Sequence, residues 1–267
     1  MEKIIFEKLP LDGAQMEYIR FGSGSRNLIL RPGLGESLRS MKGTAHPMAL
    51  MYRIFSQDYT VYLFSRRYPL APGCTTRDLA RDQALAMEAL GIARADVFGV
   101  SMGGMIAQYL AIDHPEKVGK LVLTVTCPGP NPILREAVGE WMDCARRGDH
   151  TAFLESNLRR IYSEDYYRKN KWMVPALGRM TKPSSYDRFF LQAEACLTHD
   201  ATAGLSGIQS PTLIVGGEKD ICLGADASRE LAAAIPNAEL KMFPQWGHGL
   251  YEEEKTFNAL VLDFLNR

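Results

Sequence analysis

An α/β fold, with a parallel sheet covered by helices on both faces and one helical insertion, is the class this chain predicts. Three observations lead there. Apolar runs of strand length alternate with amphipathic stretches of helix length over most of the chain. That rhythm breaks between about residues 128 and 205, where no strand-like run occurs. A chain of 267 residues with 46% hydrophobic side chains can fill the core of one large domain.

The elements follow in order. Residues 4–8 and 16–21 read as two strands around a turn at Asp12-Gly13, with a second turn at Ser23-Gly24-Ser25. Residues 27–30 form a short apolar strand that stops at Arg31-Pro32-Gly33-Leu34-Gly35, and residues 59–64 form a strand rich in β-branched and aromatic side chains. Thr76 is expected to cap a helix reaching about Leu90, with Leu79, Ala80, Ala84, Met87 and Leu90 on one face and Gly91 as its stop. A strand at 95–98 leads into Gly99-Val100-Ser101-Met102-Gly103-Gly104 and a helix that ends at His114-Pro115. Residues 120–125 make the next strand. The insertion reads as several helices dense in aromatics, among them Trp141, Phe153, Tyr162, Trp172, Tyr186 and Phe189. Strands at 211–215 and 239–243 and helices at 228–235 and about 252–265 complete the pattern. The expected division is a core of residues 1–127 and 206–267 and a helical cap of residues 128–205.

Charge narrows the function classes. Basic and acidic residues balance at 31 each, which argues against a nucleic-acid partner. The Arg-Arg pairs at 66–67, 146–147 and 159–160 read as solvated faces. Five widely spaced cysteines without a C-x-x-C pattern read as reduced thiols, not as a disulfide framework or a zinc site. The N-terminal stretch has no apolar run of signal-peptide length, and no run approaches the ~18 residues of a membrane span. The expectation is a soluble, cytoplasmic protein without cofactor or metal.

Ser101, flanked by glycines two residues away on either side and placed between strand and helix, fits the G-x-S-x-G nucleophile elbow. The turn strains the serine and lifts its hydroxyl over the sheet edge, while Gly99 and Gly103 allow strand and helix to approach. A serine hydroxyl needs a general base and a group that orients the base. Of His46, His114, His150, His199 and His248, only His248 follows a C-terminal strand in a glycine-flanked turn, Trp246-Gly247-His248-Gly249. His114 suits a helix C-terminus; His46 and His150 fall in expected loops, and His199 in the insertion. The acid is expected at Asp220, in the loop Gly216-Gly217-Glu218-Lys219-Asp220 beyond a strand end, with Glu218 and Asp226 as rivals. Oxyanion donors are expected from the backbone N–H groups of Met102 and Leu34. Cys222 and Cys127 read as small apolar residues near the site.

Arg31-Pro32-Gly33-Leu34-Gly35-Glu36-Ser37, the Ser101 elbow, the Asp220 loop and Gly247-His248, in this order, resemble the α/β-hydrolase family over nearly the whole chain. The resemblance implies an eight-stranded, mostly parallel sheet with a helical cap over the site. It makes Ser101 the nucleophile, His248 the base and Asp220 its partner, with Leu34 and Met102 as oxyanion donors. Two departures stand out. Pro32-Gly33 replaces the usual His-Gly, and Ser65-Arg66-Arg67-Tyr68-Pro69-Leu70 stands where members often have Asp-x-Arg-Gly-x-Gly. The sequence gives no functional account of the second; the pocket floor and the contact with the cap are where it could act.

The aromatic, Met- and Leu-rich cap points to a small-molecule substrate with an apolar group, a small to medium carboxylic ester or lactone. The cap arrangement is similar to enol-lactone hydrolases and carbon–carbon bond hydrolases. Acyl transfer on the same triad and a non-catalytic receptor on a hydrolase fold are the alternatives. The three filled triad positions weigh against the receptor. Haloalkane dehalogenases, which require Asp at the position of Ser101, are disfavoured, and no acidic cluster suggests a peptidase.

Overall fold

The computed structural model describes residues 3–267; Met1 and Glu2, the start of the N-terminal stretch read above, lie outside them. Among the described residues, eight strands form one sheet in the order β1-β2-β4-β3-β5-β6-β7-β8. These are β1 (Ile5–Leu11), β2 (Ala14–Phe21), β3 (Arg26–Arg31), β4 (Tyr59–Tyr68), β5 (Ala95–Val100), β6 (Val118–Thr124), β7 (Thr212–Gly217) and β8 (Ala238–Phe243). β1 pairs antiparallel with β2, and β2 antiparallel with β4. Every other pairing is parallel, so the mostly parallel sheet expected from the sequence is present.

Strand order reverses at β3. The chain goes from β3 to β4 on one side, then crosses to β5 on the other. Such a switch opens a crevice beyond the carboxyl ends of the two diverging strands. The loops after β3 and β5 both emerge there.

The helices are α1 (Ala45–Met51), α2 (Thr76–Ala89), α3 (Met102–Asp113), α4 (Pro132–Arg146), α5 (His150–Ile161), α6 (Glu164–Asn170), α7 (Val174–Met180), α8 (Asp187–Leu197), α9 (Ala225–Ala234), α10 (Leu250–Glu253) and α11 (Phe257–Asn266). Two apolar cores lie on opposite faces of the sheet. One contains α2 and α3 against Ile29, Val97 and Leu123; the other contains α1 and α11 against Leu28, Phe98 and Val122. Alternate strand residues therefore face opposite layers, as the period of two requires. Helices α4 to α8 lie between β6 and β7, the span expected to be helical.

Several details differ from the sequence reading. The cap of α2 is Thr75, not Thr76; its hydroxyl accepts from Asp78 N–H, and the Asp78 side chain accepts in return from Thr75 N–H. The expected helix 252–265 is two helices, α10 and α11, separated at Glu254, whose side chain accepts from Thr256 N–H and from Trp246 Nε1. Strand β4 continues four residues past Phe64. α1 was not anticipated, and it carries His46, which the sequence placed in a loop. His150, also expected in a loop, is the first residue of α5, where its ring meets Tyr186 Oη and Thr181 Oγ1.

All five cysteines are free thiols. No helix among the described residues is long and apolar enough to cross a membrane.

His199, just after α8, locks the end of the insertion to the core. Its Nδ1 lies 2.8 Å from Thr76 Oγ1, and its ring packs edge-on against Tyr109. Burial pulls its pKa down from 6.5 to about 4, outweighing the opposing influence of the nearby Cys127 carbonyl, so the folded chain holds it neutral. Between these two values the unfolded chain binds a proton that the folded one does not, so stability falls as pH drops from 6.5 toward about 4. The loss approaches about 3 kcal/mol. Urea unfolding across that range should show it, and H199N should flatten this part of the profile. Parallel profiles for the two proteins would contradict the assignment.

Candidate functional site

The nucleophile candidate is built by backbone geometry. Ser101 has φ 53° and ψ −120°, a region that ordinary side chains avoid. Its N–H donates to the Thr124 carbonyl at 2.9 Å, and its carbonyl accepts from the Thr126 hydroxyl at 2.8 Å. The flanking glycines are required by contact. A β-carbon on Gly99 would lie 2.5 Å from the Gly103 carbonyl oxygen, and one on Gly103 would overlap the carbonyl of Arg31 at the end of β3. Only glycine lets α3 start this close to β3 and β5.

The three candidate triad residues come together. Ser101 Oγ lies 3.1 Å from His248 Nε2, and His248 Nδ1 lies 2.9 Å from Asp220 Oδ2. The other Asp220 oxygen, Oδ1, accepts the N–H groups of Cys222 at 2.7 Å and Leu223 at 3.0 Å. Burial pushes the Asp220 carboxyl upward. The adjacent His248 and the bonds from His248, Leu223 and Cys222 outweigh it and hold the group below 3.8. An ionised Asp220 makes Nδ1 the donor and leaves Nε2 free to accept the serine proton. The rival acids stand elsewhere. Glu218 and Asp226 both pair with Arg229 at the surface, and the Asp226 side chain is 88% exposed.

Leu34 is the first residue of a 3-10 turn (Leu34–Leu38), and Met102 is the first residue of α3. First-turn N–H groups have no acceptor within their own helix and are free to meet an anion. Leu34 and Ser101 line one cavity, and Met102 is buried.

That cavity holds about 430 Å³. α1 contributes Met48 and Met51, followed by Tyr52, and the insertion contributes Trp141, Phe153 and Phe189. The α1 wall escaped the sequence reading. Its signal was present: Pro47 in the first turn and apolar residues at helical spacing. Two further residues were also missed, Thr126, which braces the elbow, and Val125, a β-branched residue at φ 43° whose N–H donates to the Val215 carbonyl.

Asp220, Cys222 and His248 are the group of potential metal ligands among the described residues, their ligand atoms within 4.8 Å of one another. Both Asp220 oxygens are engaged as described, and burial pushes the Cys222 thiol well up. A protonated thiol is a poor ligand, so this donor set fits a hydrogen-bonded relay better than a metal centre.

Comparison with known proteins adds independent findings. A family model described as alpha/beta hydrolase fold matches residues 27–255. A relative from Caulobacter sp. (strain K31), named "Putative carbamate hydrolase RutD", is 27% identical over 247 residues, 91% of this chain and 92% of its own. A 2-hydroxy-6-oxononadienedioate/2-hydroxy-6-oxononatrienedioate hydrolase from Pseudomonas sp. is 31% identical over 221 residues, 76% of this chain and 74% of that one. The solved enol-lactonase from Burkholderia xenovorans LB400 superposes with a TM-score of 0.81 at 23% identity, over 98% of this chain and 100% of that chain.

The elbow contacts make a stability prediction. G103A should cost about 3 kcal/mol in urea unfolding, the upper end of overpacking penalties. G35A, whose β-carbon meets nothing within 4 Å, should stay within about 0.5 kcal/mol. Equal effects would mean that the close approach at Gly103 is not what holds the elbow.

Proposed function

The chain belongs to the alpha/beta hydrolase fold family, and from that premise we propose that it hydrolyses a small to medium carboxylic ester or lactone through an acyl-enzyme on Ser101. The observation that carries the reading is the 3.1 Å approach of Ser101 Oγ to His248 Nε2 at the floor of a largely apolar cavity. In the proposed mechanism His248 Nε2 takes the serine proton as Oγ attacks the carbonyl carbon. Asp220 holds the imidazole in the required tautomer and stabilises the imidazolium. The N–H groups of Leu34 and Met102 receive the developing oxyanion; each such donor is commonly worth about 2.7–4 kcal/mol. The imidazolium then protonates the leaving alkoxide, and a water activated by the same ring releases the acid.

The cap of residues 128–205 sets the acyl or alcohol group, with Trp141, Phe153 and Phe189 favouring an apolar one. A second reading, hydrolysis of an oxo-dioate, is favoured by the 31% identical relative from Pseudomonas sp.. A carbamate, as the name of the Caulobacter relative suggests, needs only the same attack on a carbonyl. The free thiols support a reducing, cytoplasmic compartment.

A fluorophosphonate probe should label the native protein and not S101A. On a p-nitrophenyl ester, H248A and D220N should each lower kcat on the order of 10⁴-fold, while D226N stays near native. Undiminished labelling of S101A would sink the nucleophile assignment, and a greater loss in D226N than in D220N would move the acid. A substrate panel of esters, lactones, oxo-dioates and carbamates then separates the readings by kcat/KM.

A further inference from the structure

The segment Ser65-Arg66, which departs from the family pattern, lies against the loop that follows β3. Arg66 is buried; its Nη2 donates to the Pro32 carbonyl at 2.6 Å and its Nη1 pairs with Glu36 at 3.3 Å. Within the loop, Glu36 N–H donates to the Gly33 carbonyl at 3.4 Å, and the Ser37 hydroxyl donates to the Leu34 carbonyl at 2.6 Å. Three successive carbonyls, those of residues 32, 33 and 34, are thereby tied down. Because each peptide unit is planar, the direction of the Leu34 N–H is fixed with them.

Glu36 is the hub. Its side chain is 4% exposed and also accepts from the Ser65 hydroxyl and from Arg188 Nη2. Arg188 stands on α8, in the insertion, and α8 packs against the 34–38 turn. The same Nη2 reaches Ser65 Oγ at 2.6 Å. One nitrogen of the insertion is therefore bonded both to the carboxylate that braces the loop and to the strand beneath it.

We propose that Arg188 is a positioning residue: it couples the seating of α8 to the placement of the Leu34 N–H. This rests on the reading of Ser101 as nucleophile and Leu34 as oxyanion donor. Docked α8 pins Glu36, Glu36 and Arg66 pin the loop, and the loop presents its donor at the distance the oxyanion requires. With Arg188 removed, Glu36 keeps Arg66 and Ser65, so the fold keeps its buried ion pair while the donor loses one brace. The effect belongs to the transition state, because the oxyanion forms only there.

The test is steady-state ester hydrolysis and fluorophosphonate labelling rate on the full chain. R188M is expected to lose on the order of tenfold in kcat, with KM within about threefold of wild type. R188K should recover most of that loss, since both contacts come from a single nitrogen that an ammonium can replace. A wild-type kcat in R188M, a loss confined to KM, or an R188K as poor as R188M overturns the proposal. If R188M does not fold, S65A carries the test: kcat should fall about threefold at unchanged KM, and a native kcat overturns the proposal. Wild-type protein without Ser101-dependent labelling would sink the nucleophile reading and this inference with it. Normal labelling in both wild type and R188M sinks this inference alone.

Discussion

Ser101 is held at φ 53° and ψ −120°, a conformation that costs a non-glycine residue about 1–3 kcal/mol. The surrounding structure keeps it there. Met105, Ile106 and Leu110 on α3 are buried almost completely, and each such side chain contributes about 1.5–3 kcal/mol of burial energy. Together they outweigh the strain at one residue. Gly103 lets that burial proceed with the helix start pressed against the end of β3, and Thr124 at the end of β6 and Thr126 just beyond it grip the serine peptide. A helix set further back would release the turn and take the hydroxyl away from His248.

Parallel strands bring their carboxyl ends to one edge, so the loops after β3, β5, β7 and β8 share that edge despite their separation in sequence. Each loop supplies one kind of group. The first carries an N–H donor candidate, the second the serine, the third the carboxylate and the fourth the imidazole. The carboxylate is the most demanding of them, since a buried charge needs partners. Asp220 has them in two backbone N–H groups and the ring of His248, which is why it stays ionised in a site that would otherwise protonate it. Trp141, Phe153 and Phe189 of the stretch between β6 and β7 line the cavity at that edge, and the stretch is anchored at separate points. Arg188 meets Glu36 and Ser65 beside the loop after β3. Near α10, Ser163 donates to Glu253 through both its N–H and its hydroxyl.

Much of this was readable in order along the chain. The central strands β3, β5, β6 and β7 announced themselves as short apolar runs, because a buried parallel strand excludes polar residues from both faces. The elbow, the Asp220 loop and the His248 turn were readable because glycine spacing and strand-end position are local properties. α1 was less so: seven residues with a proline give a weak periodic signal, yet they form a wall of the cavity. The break between α10 and α11 was hidden for a related reason. Glu254 stops the helix with a side chain bonded to Thr256 and Trp246, and in sequence it looks like any helical glutamate.

By itself, the sequence determined the α/β class, the strand-free stretch between β6 and β7 and the glycine-flanked serine, since periodicity and steric exclusion act between near neighbours. Only the tertiary structure decided which carboxylate faces His248, because Glu218, Asp220 and Asp226 share one short segment and differ in direction, not in type. It likewise decided the meaning of Ser65-Arg66. In sequence an Arg-Arg pair reads as a solvated face; in the fold Arg66 is buried against Glu36. That contact joins residues 30 positions apart and, through Arg188, another 152 positions from Glu36, and a charge pair of that span exists only once the sheet has brought its ends together.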